Sequence, residues 1–195
     1  MILRQLDLNS IKEPIEVSKE YVLDENCENL ANVFHTAFLE GKGRKLSMKV
    51  SVALGIDLSL GLELTKDRRV LLKAFERGLE LWPPMIPDGV YKVLAILLAL
   101  EFNPKMLVID ELENSLHASA LEFITHELKN SDCIVIAATH SPVVVDLADP
   151  EDLILVEKNE EGASIYRRIK NPDKIKEQLR EMGITLSERW LYGKL

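Results

Sequence analysis

Met106-Leu107-Val108-Ile109 is an apolar run without polar alternation, the pattern of a short strand buried on both faces of a parallel sheet. It ends in two adjacent carboxylates, Asp110 and Glu111. A second apolar run, Cys133 to Ala138, leads into Thr139-His140-Ser141. The stretch between them, residues 117–130, has helical spacing, so the pattern predicts strand 106–110, helix 117–130 and strand 133–138. Both strands then end in polar, chemically competent residues, where open α/β sheets hold ligands.

The rest of the chain reads as alternating punctuation and periodicity. Met1 to Glu20 alternates loosely and fits a short strand or an extended arm. Asn26 to Leu39 places Leu30, Val33, Phe34, Ala37 and Phe38 on one helical face, with Asp24 as the N-cap. Leu46 to Leu54 predicts another helix, closed by Gly55. Asp57 to Leu64 alternates as a strand. Val70 to Trp82 fits two readings: the second strand of a hairpin turning at Lys66-Asp67, or a helix with Leu71, Phe75 and Leu79 on one face. Pro83-Pro84 ends it either way. Gly89 to Phe102 is a strongly apolar helix stopping before Asn103-Pro104. After His140 come a short helix from Pro142 to Leu147, strands 153–156 and 163–169 around a polar turn, and a helix from Ile175 to Met182. The tail carries Trp190, Leu191, Tyr192 and Leu195, apolar residues of the kind that dock.

Composition narrows the picture. With 195 residues, 47% of them hydrophobic, the chain holds enough apolar mass for one domain with sub-lobes. The divisions expected are 1–104, 105–170 and 171–195. A net charge of −8 argues against a chain-wide nucleic-acid footprint, which is normally basic. Cys27 and Cys133 read as core residues in a reducing compartment, and no metal-ligand spacing links Cys and His. The first residues do not read as a signal peptide, and the apolar stretch Val93 to Leu100 is too short to span a bilayer. The cytoplasm and no membrane partner are therefore the expectation.

The order of motifs resembles the C-terminal half of an ABC-type ATPase of the RecF/SMC-like class, close to single-chain AAA-like ATPases. Asp110 and Glu111 match that family's Walker B aspartate and catalytic glutamate. Glu113 to His117 resembles its D-loop, usually Glu-Asn-Gly-Leu-His, with Ser115 at the glycine. Thr139-His140-Ser141-Pro142 resembles the switch-histidine motif. Pro87-Asp88-Gly89-Val90-Tyr91-Lys92 resembles a degenerate signature motif, commonly Ser-Asp-Gly-Thr, here with proline in place of the serine. The likeness is specific from about Pro87 to Val156 and weaker from about Glu20.

The resemblance implies an α/β fold: a partial P-loop NTPase with a mainly parallel sheet core, a helical signature sub-lobe and a C-terminal hairpin. It implies ATP and Mg²⁺ as cofactors. Asp110 would hold Mg²⁺, Glu111 would activate water, and His140 would contact the γ-phosphate. Gly89, Asn114 and Ser115 would contribute nucleotide contacts, with Lys92 supplying charge where the signature serine is replaced. Nothing in the chain reads Gly-x-x-x-x-Gly-Lys-Ser/Thr; Gly41 to Ser47 has the residue types without the spacing, and reads as a helix end and a basic turn. The expected partner is a polypeptide carrying the phosphate loop, a second copy, or both. DNA enters only through such a complex.

Three functions follow, in descending order of support. The first is an ATPase half-module, inactive alone. The second is a non-catalytic interaction or regulatory module that keeps the fold. The third is a metal-dependent nuclease or phosphatase using Asp110, Glu111, Glu113 and His117, which lacks a second carboxylate cluster.

Overall fold

A segment apolar on all sides must be enclosed by others, and residues 88–101 are such a segment. In a computed structural model, which describes residues 1–193, they form helix α4 (Asp88–Glu101), buried from Val90 through Ala99. The chain divides into two units, Met1–His140 and Ser141–Leu195.

In the first unit, α4 is surrounded by helices α2 (Leu30–Leu39), α3 (Gly43–Leu54) and α5 (Ala118–Lys129). A parallel three-stranded sheet has the order β1 (Ile2–Leu3), β6 (Met106–Ile109), β7 (Ile134–Ala137). The first residues of the chain thus pair with the strand that precedes the acids. A separate antiparallel sheet joins β2 (Ile15–Glu16), β3 (Leu58–Leu64), β4 (Arg69–Glu76) and β5 (Leu79–Leu81). A short helix α1 (Leu8–Ile11) lies between β1 and β2.

The two readings of Val70–Trp82 resolve as strands. Val70, Leu72 and Ala74 are buried on one face of β4, while Arg77 and Gly78, both at positive φ, turn the chain into β5. A 3-10 turn, Pro83–Met85, follows. Helix α2 begins at Leu30 rather than Asn26. Cys27 sits at φ 60, which breaks the helical run, and the Asp24 carboxylate accepts the N–H groups of Glu28 and Asn29 in the turn before the helix. Helix α3 starts at Gly43, so the basic stretch opens a helix, and Gly55 closes it in the left-handed conformation.

One expectation is overturned. Strand β6 is not buried on both faces: Leu107 and Ile109 are buried, but Met106 on the opposite face is 42% exposed. Helices cover one face of this sheet and leave the other open.

The second unit contains α6 (Pro142–Leu147), an antiparallel hairpin of β8 (Ile154–Lys158) and β9 (Ser164–Arg168), α7 (Pro172–Met182) and α8 (Leu186–Leu191). The Asn159 side-chain oxygen accepts the Glu161 and Ala163 N–H groups and shapes the hairpin turn. Thr185 and Glu188 form a capping box on α8, and the Asp146 carboxylate accepts from both the N–H and the hydroxyl of Ser187, tying α8 to α6. Trp190, Leu191 and Tyr192 fall on or just after α8; Leu195 lies outside the described residues. No helix among the described residues is long and apolar enough to cross a membrane.

Candidate functional site

The two parallel strands β6 and β7 end side by side, with Ile109 opposite Ala137. Asp110, Glu111 and His140 therefore emerge at one edge of one sheet, and all three are exposed. The Asp110 N–H donates to the Leu3 carbonyl at 2.9 Å, so β1 fixes the last paired position of β6.

Beyond it the chain turns sharply. Glu111 takes φ 47, a left-handed conformation uncommon for a residue with a side chain. This turn breaks the strand's alternation, so two consecutive acids need not point to opposite faces. An Asp110 carboxylate oxygen accepts the Glu111 N–H at 3.1 Å. The Asn114 side-chain amide donates to the Glu111 carboxylate at 2.8 Å, and its N–H donates to the Glu111 carbonyl at 3.0 Å. Asn114 thus holds both ends of Glu111.

Lys92, on α4, is 3% exposed, and its ammonium donates to the Glu111 carbonyl at 3.2 Å and the Asp110 carbonyl at 3.5 Å. Burial pushes its pKa below the ordinary lysine value, against the pull of Cys27, Glu111, Glu113 and Asp110. Its charge is directed at the protein's own backbone beneath the acids. Gly89 lies one turn earlier on α4. A Cβ there would stand 2.8 Å from the Ser115 carbonyl oxygen, so the glycine permits close approach of α4 to the loop after the acids. Ser115 itself sits at φ 62, where the resembling motif has glycine. His117 caps α5: its Nδ1 accepts the Ala120 N–H.

Glu113 entered the sequence reading as the start of the D-loop and as an acid of the nuclease reading, not as a clamp between strand ends. Its carboxylate accepts the Thr139 hydroxyl at 2.7 Å and the His140 N–H at 2.6 Å. Burial raises its pKa, but backbone N–H donors, that of His140 among them, and the Thr139 hydroxyl outweigh it and hold the group below the usual glutamate value. Glu113 therefore binds the loop after β6 to the loop after β7. The sequence signals a third acid near Asp110, but its partners lie a strand and a helix away.

No group of three or more His, Cys, Asp or Glu among the described residues has the arrangement of a protein-only metal cage. Exposed Asp110 beside a carboxylate suits a hard cation that keeps most of its waters and takes only one or two carboxylates.

Residues 56–146 match the family described as "AAA domain, putative AbiEii toxin, Type IV TA system". The fold is similar to that of a solved structure from work on the structural biochemistry of ATP-driven dimerization and DNA-stimulated activation of SMC ATPases. The TM-score is 0.56 at 19% identity, over 78% of this chain and 96% of that one. Comparison with curated protein sequences gives no match. In the match over residues 56–146 and in its architecture, the chain is similar to AAA/ABC-like P-loop ATPase domains.

Proposed function

We propose that the chain is the half of an ATPase site that supplies Asp110, Glu111, the Asn114–His117 loop and His140, and that a phosphate-loop-bearing lobe or partner completes it. The observation that carries this reading is the pair of strand ends fastened together by Glu113, which sets two acids and a histidine at one open sheet edge. When bound, Mg²⁺ would supply charge neutralisation at the phosphates. Asp110 would hold it, through water or directly. Glu111, steadied by Asn114, would orient the attacking water and take its proton. His140 would meet the terminal phosphate from the neighbouring strand. Gly89 and Ser115 meet at the start of α4, where N–H groups and the helix dipole favour an anion, and Asn114 would add its contact from the same loop. Lys92 would act from beneath, holding the turn that aims the acids.

Dimerisation of two such chains, or of two chain–partner pairs, is compatible with this arrangement, as is coupling to DNA through the assembled complex. The test is hydrolysis of Mg-ATP by the chain together with a phosphate-loop polypeptide. Glu111→Gln lowers turnover by about 10²-fold or more, the usual cost of a lost general base, while the fold is kept. The chain alone binds Mg-ATP no more tightly than about millimolar, since no phosphate cradle is present; micromolar affinity by calorimetry would refute the half-site. A second reading, a non-catalytic module of the same fold, is favoured by Pro87 at the signature serine and by the lack of a phosphate loop. Unchanged hydrolysis in Glu111→Gln would decide for it.

A further inference from the structure

Helix α4 begins without a local brace. A serine, threonine, aspartate or asparagine just before Asp88 would accept an N–H of the first turn and fix the angle at which the chain enters the helix. Pro87 stands there and makes no side-chain cap bond. Yet α4 must start at a set place, because its first turn lies against the loop after the acids. A Cβ at Gly89 would meet the Ser115 carbonyl oxygen at 2.8 Å and the Leu54 side chain at 3.6 Å. The position is held from far away in the chain. The Lys12 ammonium donates to the Asp88 carboxylate at 2.8 Å and stands 5.7 Å from the centre of the Tyr91 ring. Asp88 and Tyr91 are three residues apart on α4 and share a face, so one ammonium engages both. Tyr91 is itself buried, and its hydroxyl donates to the Pro83 carbonyl at 3.0 Å.

The ion pair closes a ring around the acids. Lys12 ends α1, the short helix after β1, and the Asp7 carboxylate caps that helix by accepting the Asn9 and Ser10 N–H groups. From β1 the Leu3 carbonyl accepts the Asp110 N–H at 2.9 Å. From the other side α4 reaches the same turn, through Lys92 on the Asp110 and Glu111 carbonyls and through Gly89 against Ser115. Residues 110–115 are thus gripped by β1 and by α4, and Lys12 with Asp88 joins the two grips to each other. We infer that Lys12 is a positioning residue for Glu111: paired with Asp88, it sets where α4 begins and so fixes the turn that aims the acids. The part given to Glu111 rests on the half-site reading. Lys12 acts through Asp88, Gly89 and Ser115 and does not itself touch the reacting atoms. The partners are 76 residues apart, and Lys12 lies outside every motif of the sequence, which hides the role.

Backbone amide resonances of the full chain read the turn directly. Lys12→Met keeps an unbranched side chain and removes its charge. Asp88→Asn keeps the shape of the partner, whose side chain is 45% exposed against 23% for Lys12, and is the gentler change. Each shifts the amides of Glu111, Asn114 and Ser115, and the double variant shifts them no further than either single one, as a cycle on one interaction requires. Lys45→Met, which breaks an ion pair with Glu101 at the other end of α4, leaves them in place. Urea unfolding of each variant confirms that the fold is intact. In hydrolysis of Mg-ATP with a phosphate-loop lobe or partner, Lys12→Met lowers kcat by about fivefold. That loss vanishes in a Glu111→Gln background, where a general loss of stability would persist. Amides of residues 111–115 unmoved in both single variants, or a kcat loss undiminished beside Glu111→Gln, overturn the inference. If the amides move as stated and no phosphate-loop polypeptide yields hydrolysis, the ring around the acids stands and the half-site falls. If ATP is hydrolysed and the amides ignore both variants, the half-site stands and the positioning falls.

Discussion

Gly89 illustrates how one missing atom positions a site. Alanine there would press its Cβ to 2.8 Å from a backbone carbonyl of Ser115, which has no flexible end to swing away. Helix propensity favours alanine by up to about 1 kcal/mol, but forcing apart a packed contact costs about 1–3 kcal/mol. Gly89→Ala should therefore lower stability in urea unfolding and shift the amide resonances of residues 111–117. Cys27 makes a second prediction. Burial pushes its thiol up to about 12, well above the ordinary value, with Asp24 adding to the rise and Lys92 opposing it. The unfolded chain loses this proton near pH 8.5–9 and the folded one only near 12, so the folded state binds more protons between them. Its contribution is complete below about pH 8.5 and drains away as pH rises toward 12. Burial raises Tyr91 as well and acts in the same direction at higher pH. Stability measured from pH 8 upward should fall, and Cys27→Ala should flatten the early part of that fall.

At the scale of elements, the link between α3 and β3 is a buried hydrogen bond. The Ser47 hydroxyl accepts the Leu60 N–H at 2.8 Å. Ser47→Ala orphans that N–H, and an unsatisfied buried donor costs about 1–3 kcal/mol; equilibrium unfolding should register a loss of that size. Most elements were legible because their cues are local. The apolar helix at α4, the strand–acid junction at β6, the strand–histidine junction at β7 and the Gly55 stop all follow from residues adjacent in the chain. What escaped was set by tertiary packing. Leu71, Phe75 and Leu79 fit a helical face, yet pairing with β3 and the turn at Arg77-Gly78 made strands of that segment. The apolar run of β6 suggested burial on both faces, but hydrophobic pattern records what a strand tolerates, not whether a neighbour covers it. Glu113 was invisible as a clamp because its partners are contributed by a different strand end. Lys92 read as a free charge, since sequence does not say that α4 would be enclosed on every side.

For the molecule as a whole, charge is the decisive quantity. DNA binding without sequence preference depends on cations releasing counterions from phosphates, and affinity grows with the number of such contacts. The chain carries 24 Lys and Arg against 32 Asp and Glu. An exposed basic group, Lys66, Arg68 and Arg69 at the turn between β3 and β4, is small, and Arg69 is already paired with Asp67. Two or three phosphate contacts would give a slope of log affinity on log salt of only about −2 to −3, and the surrounding field is repulsive. Fluorescence anisotropy with a labelled duplex at physiological salt should therefore show no binding tighter than about 100 µM by the isolated chain. If an assembly containing this chain engages DNA, the basic surface must come from another polypeptide or from apposition of several chains. Tight, salt-sensitive binding by the chain alone would mean instead that its few exposed cations act as a concentrated patch, and would move the search for a DNA contact to the β3–β4 turn.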